Sequence, residues 1–257
     1  MLLTIDVGNT NITLGLYNGE QRAHAWRLST VHDRMPDEYG LQLLGLLEHV
    51  DCRVEQIEGC ALASVVPPLN STFLEACRRY LNQEPLLIDA GVKTGLSIRY
   101  EDAKHALGAD RVADAVAVRS LYGTPACVVD FGTATTFDAI SAEGEYLGGA
   151  IAPGIDIAAE ALFLRAAKLP RVELARPDAA IGRNTLTAIQ SGLVFGYVGL
   201  VEGMVARFKH ELGAGTKVIG TGGLVDLIAP ETAVIEFVAP WLTLDGLRII
   251  WDLNRGQ

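Results

Sequence analysis

Residues Leu2–Thr13 read LLTIDVGNTNIT, an apolar run, a small polar turn and a second β-type run. Leu2–Ile5 is a short apolar run of the kind that forms a buried strand. It ends in Asp6, then Gly8, Asn9 and Thr10, after which β-type residues resume with Ile12, Leu14, Leu16 and Tyr17. An acid followed by Gly-Asn-Thr at a strand end predicts a tight turn. Its small residues would let phosphate oxygens approach the backbone N–H groups. Asp6 would then sit where a divalent ion could bridge protein and phosphate. A plain hairpin accounts for the same residues, because Asp and Asn are ordinary turn formers.

An echo follows about half a chain later. Residues 126–145 read ACVVDFGTATTFDAISAEGE, and placing Asp130 on Asp6 puts Gly132 on Gly8 and Thr133 on Asn9. Each copy has an apolar run, Asp-x-Gly-polar, a second β-rich run and a Gly turn, at Asn18-Gly19 and Glu143-Gly144. The simplest account is two related α/β domains, 1–120 and 121–257, each opening with a hairpin whose turn faces a shared cleft. Two such loops could clamp a polyphosphate from both sides.

Composition narrows the function. The chain has 257 residues, 49% hydrophobic and 20% charged, as expected of a well-packed globular enzyme. A net charge of −10 argues against nucleic acid or anionic lipid as partner. Cys52, Cys60, Cys77 and Cys127 show no CxxC spacing and read as reduced core residues, which suits the cytosol. No basic leader precedes Asp6, and no run of 18 uncharged apolar residues occurs, so a cytoplasmic, non-membrane protein is expected.

Asn18-Gly19 predicts a hairpin returning as a strand over 21–28. Pro36 opens a helix whose Leu43, Leu44, Leu47 and Val50 share a face. A strand over 59–66, stopped by Pro67-Pro68, a helix over 70–81 and strands at 85–88 and 93–100 follow. Asp110 and Arg111 fall at the start of an apolar helix ending at Gly123, where Asp110 reads as a helix cap, half of a solvated pair, or a functional acid. Strand 146–154 and helix 156–168 come next. Asn184 or Thr185 caps the longest helix, closed by Gly213, whose Gly192, Gly196, Gly199 and Gly203 form one stripe. That stripe predicts close approach of another helix, within the domain or from a partner subunit. The chain closes with strands at 217–220 and 234–238 and a helix over 244–253.

No GxxxxGK[ST], Rossmann glycine pattern, zinc spacing or Gly-x-Ser-x-Gly elbow occurs. Gly220-Thr221-Gly222-Gly223 is either a bare surface for an adenosine or a simple glycine turn. Asp6 with Gly8–Thr10, Asp130 with Gly132-Thr133, and Gly222-Gly223 together resemble the phosphate and adenosine motifs of the acetate and sugar kinase, heat-shock chaperone and actin superfamily. The match narrows to type III pantothenate kinase. It is carried by IDVGNTNITLGLY, HDRMPDEYG, SVVPPLN, GLSIRYEDAKHALGADR, DFGTATTFD, GGAIAPGI, IGRNTLTAIQSG and TGGL, spread over residues 5–224.

The resemblance implies an α/β fold of two ribonuclease H-like (actin-like ATPase) domains, with mixed sheets flanked by helices. It implies ATP-dependent phosphorylation of pantothenate, the first step of coenzyme A biosynthesis. On this sequence, Asp6, Val7, Gly8, Asn9, Thr10, Asn11, Ile12, Thr13 and Thr133 look like the ATP positions. Asp130 is similar to the family's ligand for a monovalent cation (K⁺ or NH₄⁺), and Asp6 would meet Mg²⁺, directly or through water. Tyr100, Gly108, Ala109, Asp110, Arg111 and Thr185 match the pantothenate positions, with Asp110 as general base. The family is dimeric, in keeping with the glycine stripe. Ala103 departs from the family, where Pro is common after Glu-Asp. Competing readings are another hydroxylic acceptor, or an accessory nucleotide-binding protein with little turnover.

Overall fold

The computed structural model describes residues 1–89, 91–99 and 107–255. The chain divides into two compact units. The first comprises Met1–Gly95, Asp102–Ala117 and Thr243–Gln257, and the second Leu96–Glu101 and Val118–Leu242.

In the first unit, β1 (Leu2–Val7), β2 (Asn11–Asn18) and β3 (Gln21–Ser29) form an antiparallel meander. β4 (Gly59–Ser64) pairs parallel with β1, and β5 (Leu86–Leu87) parallel with β4. The strand order is β3-β2-β1-β4-β5. Leu3, Ile5, Ile12, Leu14 and Leu16 are buried against Tyr39, Leu43 and Leu47 of α1 (Pro36–His49) and Leu69 and Phe73 of α2 (Pro67–Ala76). Pro36 opens α1 as expected, and Glu38 reaches back to the Met35 N–H at 2.9 Å.

Pro67-Pro68 has a second job that the strand reading missed. The strand stops at Ser64 and the two prolines begin α2, where a missing N–H costs nothing. That helix ends at Ala76 and widens into a π-helical turn, Cys77–Leu81, stopped by Asn82 at φ 53°. α3 (Ala109–Leu121) begins in this unit, and α7 (Leu242–Asn254) packs here through most of its length.

The second unit repeats the plan. β7 (Ala126–Phe131), β8 (Ala134–Ile140) and β9 (Glu145–Pro153) form the meander, with β10 (Lys217–Gly222) parallel to β7 and β11 (Phe237–Val238) parallel to β10. The order β11-β10-β7-β8-β9 matches that of the first sheet, with β6 (Ser97–Ile98) added parallel to β9. This is the expected duplicated α/β fold. The core lies between Cys127, Val129, Phe131 and Phe137 and the face of α5 (Thr185–Leu212) that carries Ile189, Leu193, Val198, Val201 and Val205. α4 (Ile155–Arg165) and the short α6 (Val225–Ile228) complete the layer.

Asn184 caps α5, accepting the N–H of Thr187 at 2.9 Å. Among the described residues, α5 is the one helix long and apolar enough to cross a membrane; its apolar face is the one buried on the second sheet. The opposite face carries the glycine stripe: a Cβ on Gly192, Gly196 or Gly199 would meet nothing within 4 Å. Among the described residues, no helix covers the stripe at Gly192, Gly196 or Gly199. The four cysteines are free thiols, and burial pushes Cys127 up to about 12.

Candidate active site

In the first hairpin, strand alternation sorts the candidate residues. Val7 and Ile12 point into the core and can reach a ligand only through their backbone. Asp6, Gly8 and Thr13 are half-buried, while Asn9, Thr10 and Asn11 are exposed at the turn. Asp6 stands opposite Thr13 and beside Ala63, and the Thr13 hydroxyl donates to its Oδ2 at 3.2 Å. The turn is itself a hydrogen-bonded unit. Gly8 donates its N–H to the Asn11 carbonyl at 3.0 Å, with a Cβ at Gly8 only 2.9 Å from that oxygen. Thr30, beyond β3, clamps it by two bonds, N–H to the Thr10 carbonyl at 2.9 Å and hydroxyl to the Gly8 carbonyl at 2.6 Å. Thr30 carries no local signal in the sequence; only the third strand brings it here.

Gly108 lies just ahead of α3, its carbonyl accepting the Val112 N–H at 3.2 Å. Asp110 Oδ1 accepts the Arg111 N–H at 2.8 Å and folds back over Gly108, where a Cβ would collide with it. The cap reading of Asp110 is thus half right. It satisfies one first-turn donor but sits inside the helix, with Gly108 in the capping place. Val65 joins this helix start to the hairpin: its N–H donates to the Val7 carbonyl at 3.0 Å, and its Cγ1 lies 3.3 Å from the Cβ position of Gly108. Gly108–Arg111 therefore lie beside the C-terminal end of β1, the central strand of the first unit's sheet.

α3 is pinned from behind. Thr243 donates to the buried Asp114 at 2.7 Å, and Gly246 of α7 lies against the Ala113 carbonyl, leaving no room for a methyl group.

In the second unit, Asp130 and Thr133 occupy the matching hairpin, but its turn is one residue shorter. β8 resumes at Ala134, Gly132 donates to the Ala134 carbonyl at 3.0 Å, and Asp130 pairs with Thr136. Gly154, at the start of α4, packs so closely on the Gly132 and Thr133 carbonyls that a Cβ would overlap both. Thr133 is exposed and Asp130 half-buried. Thr185 is the first residue of α5 and is exposed. It lines a cavity of about 720 Å³ with Leu162, Leu169, Arg183 and Ile189, while Asp130 and Thr133 do not line it. Tyr100 lies outside the described residues. Among the described residues, no group of three or more His, Cys, Asp or Glu could hold a metal ion by itself.

Residues 2–207 match the family model of type III pantothenate kinase. The chain belongs to the type III pantothenate kinase family. The type III pantothenate kinase of Moorella thermoacetica is 53% identical over 254 residues, covering 99% of this chain and 100% of the relative. Two solved structures are similar in fold. One is a conserved putative Baf family transcriptional activator from Campylobacter jejuni (22% identity, TM-score 0.62, covering 99% of this chain and 100% of that one). The other is a putative 2-dehydro-3-deoxygalactonokinase from Sinorhizobium meliloti (12% identity, TM-score 0.62, covering 100% and 98%). The duplicated mixed-sheet plan of this type III pantothenate kinase family member is thus shared with a sugar-kinase-type protein of low sequence identity.

Proposed function

We propose that this chain transfers the γ-phosphoryl group of ATP to the primary hydroxyl of pantothenate, giving 4′-phosphopantothenate and ADP, the first step of coenzyme A biosynthesis. The observation that carries the reading is the half-buried Asp110 carboxylate at the head of α3, held beside the end of β1 through Val65. Phosphoryl transfer needs chiefly positioning and charge neutralisation, and both hairpins offer short polar turns for that purpose.

In this account Asp110 accepts the proton of the attacking hydroxyl, and the oxygen adds in line to the γ-phosphorus as the bond to ADP breaks. Arg111 pairs with the pantothenate carboxylate. Tyr100, Gly108, Ala109 and Thr185 shape the rest of the acceptor site. Asp6–Thr13 and Thr133 hold the triphosphate oxygens. Because the Gly8 N–H is already spent on Asn11 and the Thr13 hydroxyl on Asp6, the donors in the first loop come from Asn9, Thr10 and Asn11, with Thr13 acting through Asp6. Bound Mg²⁺ and a monovalent cation would offset the triphosphate charge.

A single carboxylate, Asp6, suits an ion that takes most of its ligands from phosphate and water. Asp130, with the backbones of Gly132 and Gly222 close against its carboxylate, is the oxygen donor proposed for the monovalent cation. We further propose a homodimer in the cytoplasm. The support is the uncovered glycine stripe together with exposed Ile157, Leu162, Phe163 and Leu164 on α4.

The test is ADP formation with and without pantothenate, in Mg²⁺ plus K⁺ and again in Na⁺. Pantothenate-dependent turnover supports the kinase. ATP binding without a pantothenate response would leave the accessory nucleotide-binding reading in its place.

A further inference from the structure

Asp130 and Gly222 stand at the ends of neighbouring parallel strands, with Thr221 in register with Asp130 and Gly222 with Phe131. Gly222 has φ +91°, a conformation that residues with a side chain rarely adopt. A Cβ there would overlap Oδ1 of Asp130, and would lie 2.6 Å from the Phe131 nitrogen and 2.7 Å from its carbonyl carbon. A Cβ on Gly132 would stand 3.4 Å from Oδ2 and 3.7 Å from Oδ1. Main chain thus lies close to the carboxylate at both glycines, tightly against Oδ1 at Gly222 and within ordinary contact of both oxygens at Gly132.

The first sheet shows that this is not a requirement of the strand plan. There β4 occupies the place of β10, and Ser64, in register with Val7, occupies the place of Gly222. A side chain is tolerated at that place beside Asp6 but not beside Asp130.

We infer that Gly222 is a positioning residue for the Asp130 carboxylate, fixing the oxygen that a monovalent cation uses. This rests on the proposed cation role of Asp130. The glycine pair that reads from sequence as an adenosine surface or a plain turn gains a third use: its first member shapes the cation site from behind. The effect falls on where the carboxylate sits, so its signature is a shift in the K⁺ concentration that half-saturates nucleotide binding, with acceptor affinity unmoved.

The test titrates KCl against choline chloride at constant ionic strength. It reads the affinity of a non-hydrolysable ATP analogue by calorimetry, and turnover in parallel, for wild type, Gly222→Ala, Asp130→Asn, the double variant and Asp130→Glu. Gly222→Ala is expected to raise the half-saturating K⁺ at least about ten-fold, in the range seen when groups that orient a metal ligand are lost. The KM for pantothenate should stay within about two-fold, since binding groups for the acceptor are untouched. The double variant should be no worse than Asp130→Asn, because both changes remove one interaction.

Asp130→Glu keeps the charge but carries it past the glycine wall, so it should lose the K⁺ response as well. This arm decides the matter if Gly222→Ala does not fold. An unchanged half-saturating K⁺ in folded Gly222→Ala, or a full K⁺ response in Asp130→Glu, overturns the inference while leaving the cation site in place. A wild type indifferent to K⁺ overturns both.

Discussion

Thr13 donates its hydroxyl to Oδ2 of Asp6 at 3.2 Å, whereas Thr136, opposite Asp130, turns its hydroxyl to Asp138 at 3.3 Å. The two hairpins are copies in topology, yet the threonines facing their acids differ: Thr13 bonds to Asp6, while Thr136 turns to Asp138. Thr13→Val keeps the shape and removes the hydroxyl. It should weaken ATP binding by about 1 kcal/mol, roughly five-fold, with the KM for pantothenate unchanged. Titration of ATP into the apoprotein checks this.

Asp110→Asn preserves size and can still meet the Arg111 N–H through its side-chain oxygen. The variant should keep its melting temperature and ATP affinity while kcat falls by about 10²–10⁴, the usual contribution of a general base. Steady-state kinetics beside a thermal melt reads both.

Two glycines separate crowding from propensity. A methyl at Gly246 would enter the Ala113 carbonyl behind Asp110, so Gly246→Ala should cost about 1–3 kcal/mol. Gly45, inside α1, faces open space, so Gly45→Ala should stabilise by about 0.5–1 kcal/mol. Urea unfolding of the two variants should shift in opposite directions.

Tyr17 is buried and donates to Asp245 at 2.6 Å, beside Arg22, which reaches the same oxygen at 2.7 Å. Burial first, and then the Asp245 charge, raise its phenol well above the ordinary value of 10.0. The neutral form is therefore favoured by folding. This contribution is complete below pH 10 and is lost as pH climbs through the alkaline range above it. Stability measured from pH 8 to 11 should fall more steeply in wild type than in Tyr17→Phe. Equal slopes would contradict the assignment.

Local signals account for what was legible in the sequence. The Asp6–Thr10 turn, Pro36 at the head of α1, the Asn184 cap and Gly213 after α5 are all set by neighbours in the chain, and each lies where the residues predict. The second hairpin differs by one residue because Gly132 closes onto Ala134 rather than three residues on, a choice that the shared Asp-x-Gly pattern leaves open.

Hidden from the sequence were contacts between distant segments. Thr30 latches the first loop from the far end of β3, Gly154 seats the second from the start of α4, and Gly222 meets Asp130 across β7–β10. Each is a small or common residue whose role comes from the partner that folding supplies. The glycine stripe was visible as a pattern, but its uncovered state required knowing which face of α5 the sheet takes.

Phosphoryl transfer to pantothenate is read directly by ³¹P NMR of a reaction holding the protein, ATP, Mg²⁺, K⁺ and pantothenate. The account predicts a new phosphomonoester resonance on the primary hydroxyl of pantothenate, growing as the γ-phosphate of ATP disappears and ADP appears. ATP converted to ADP and free phosphate alone, or left intact, would contradict it.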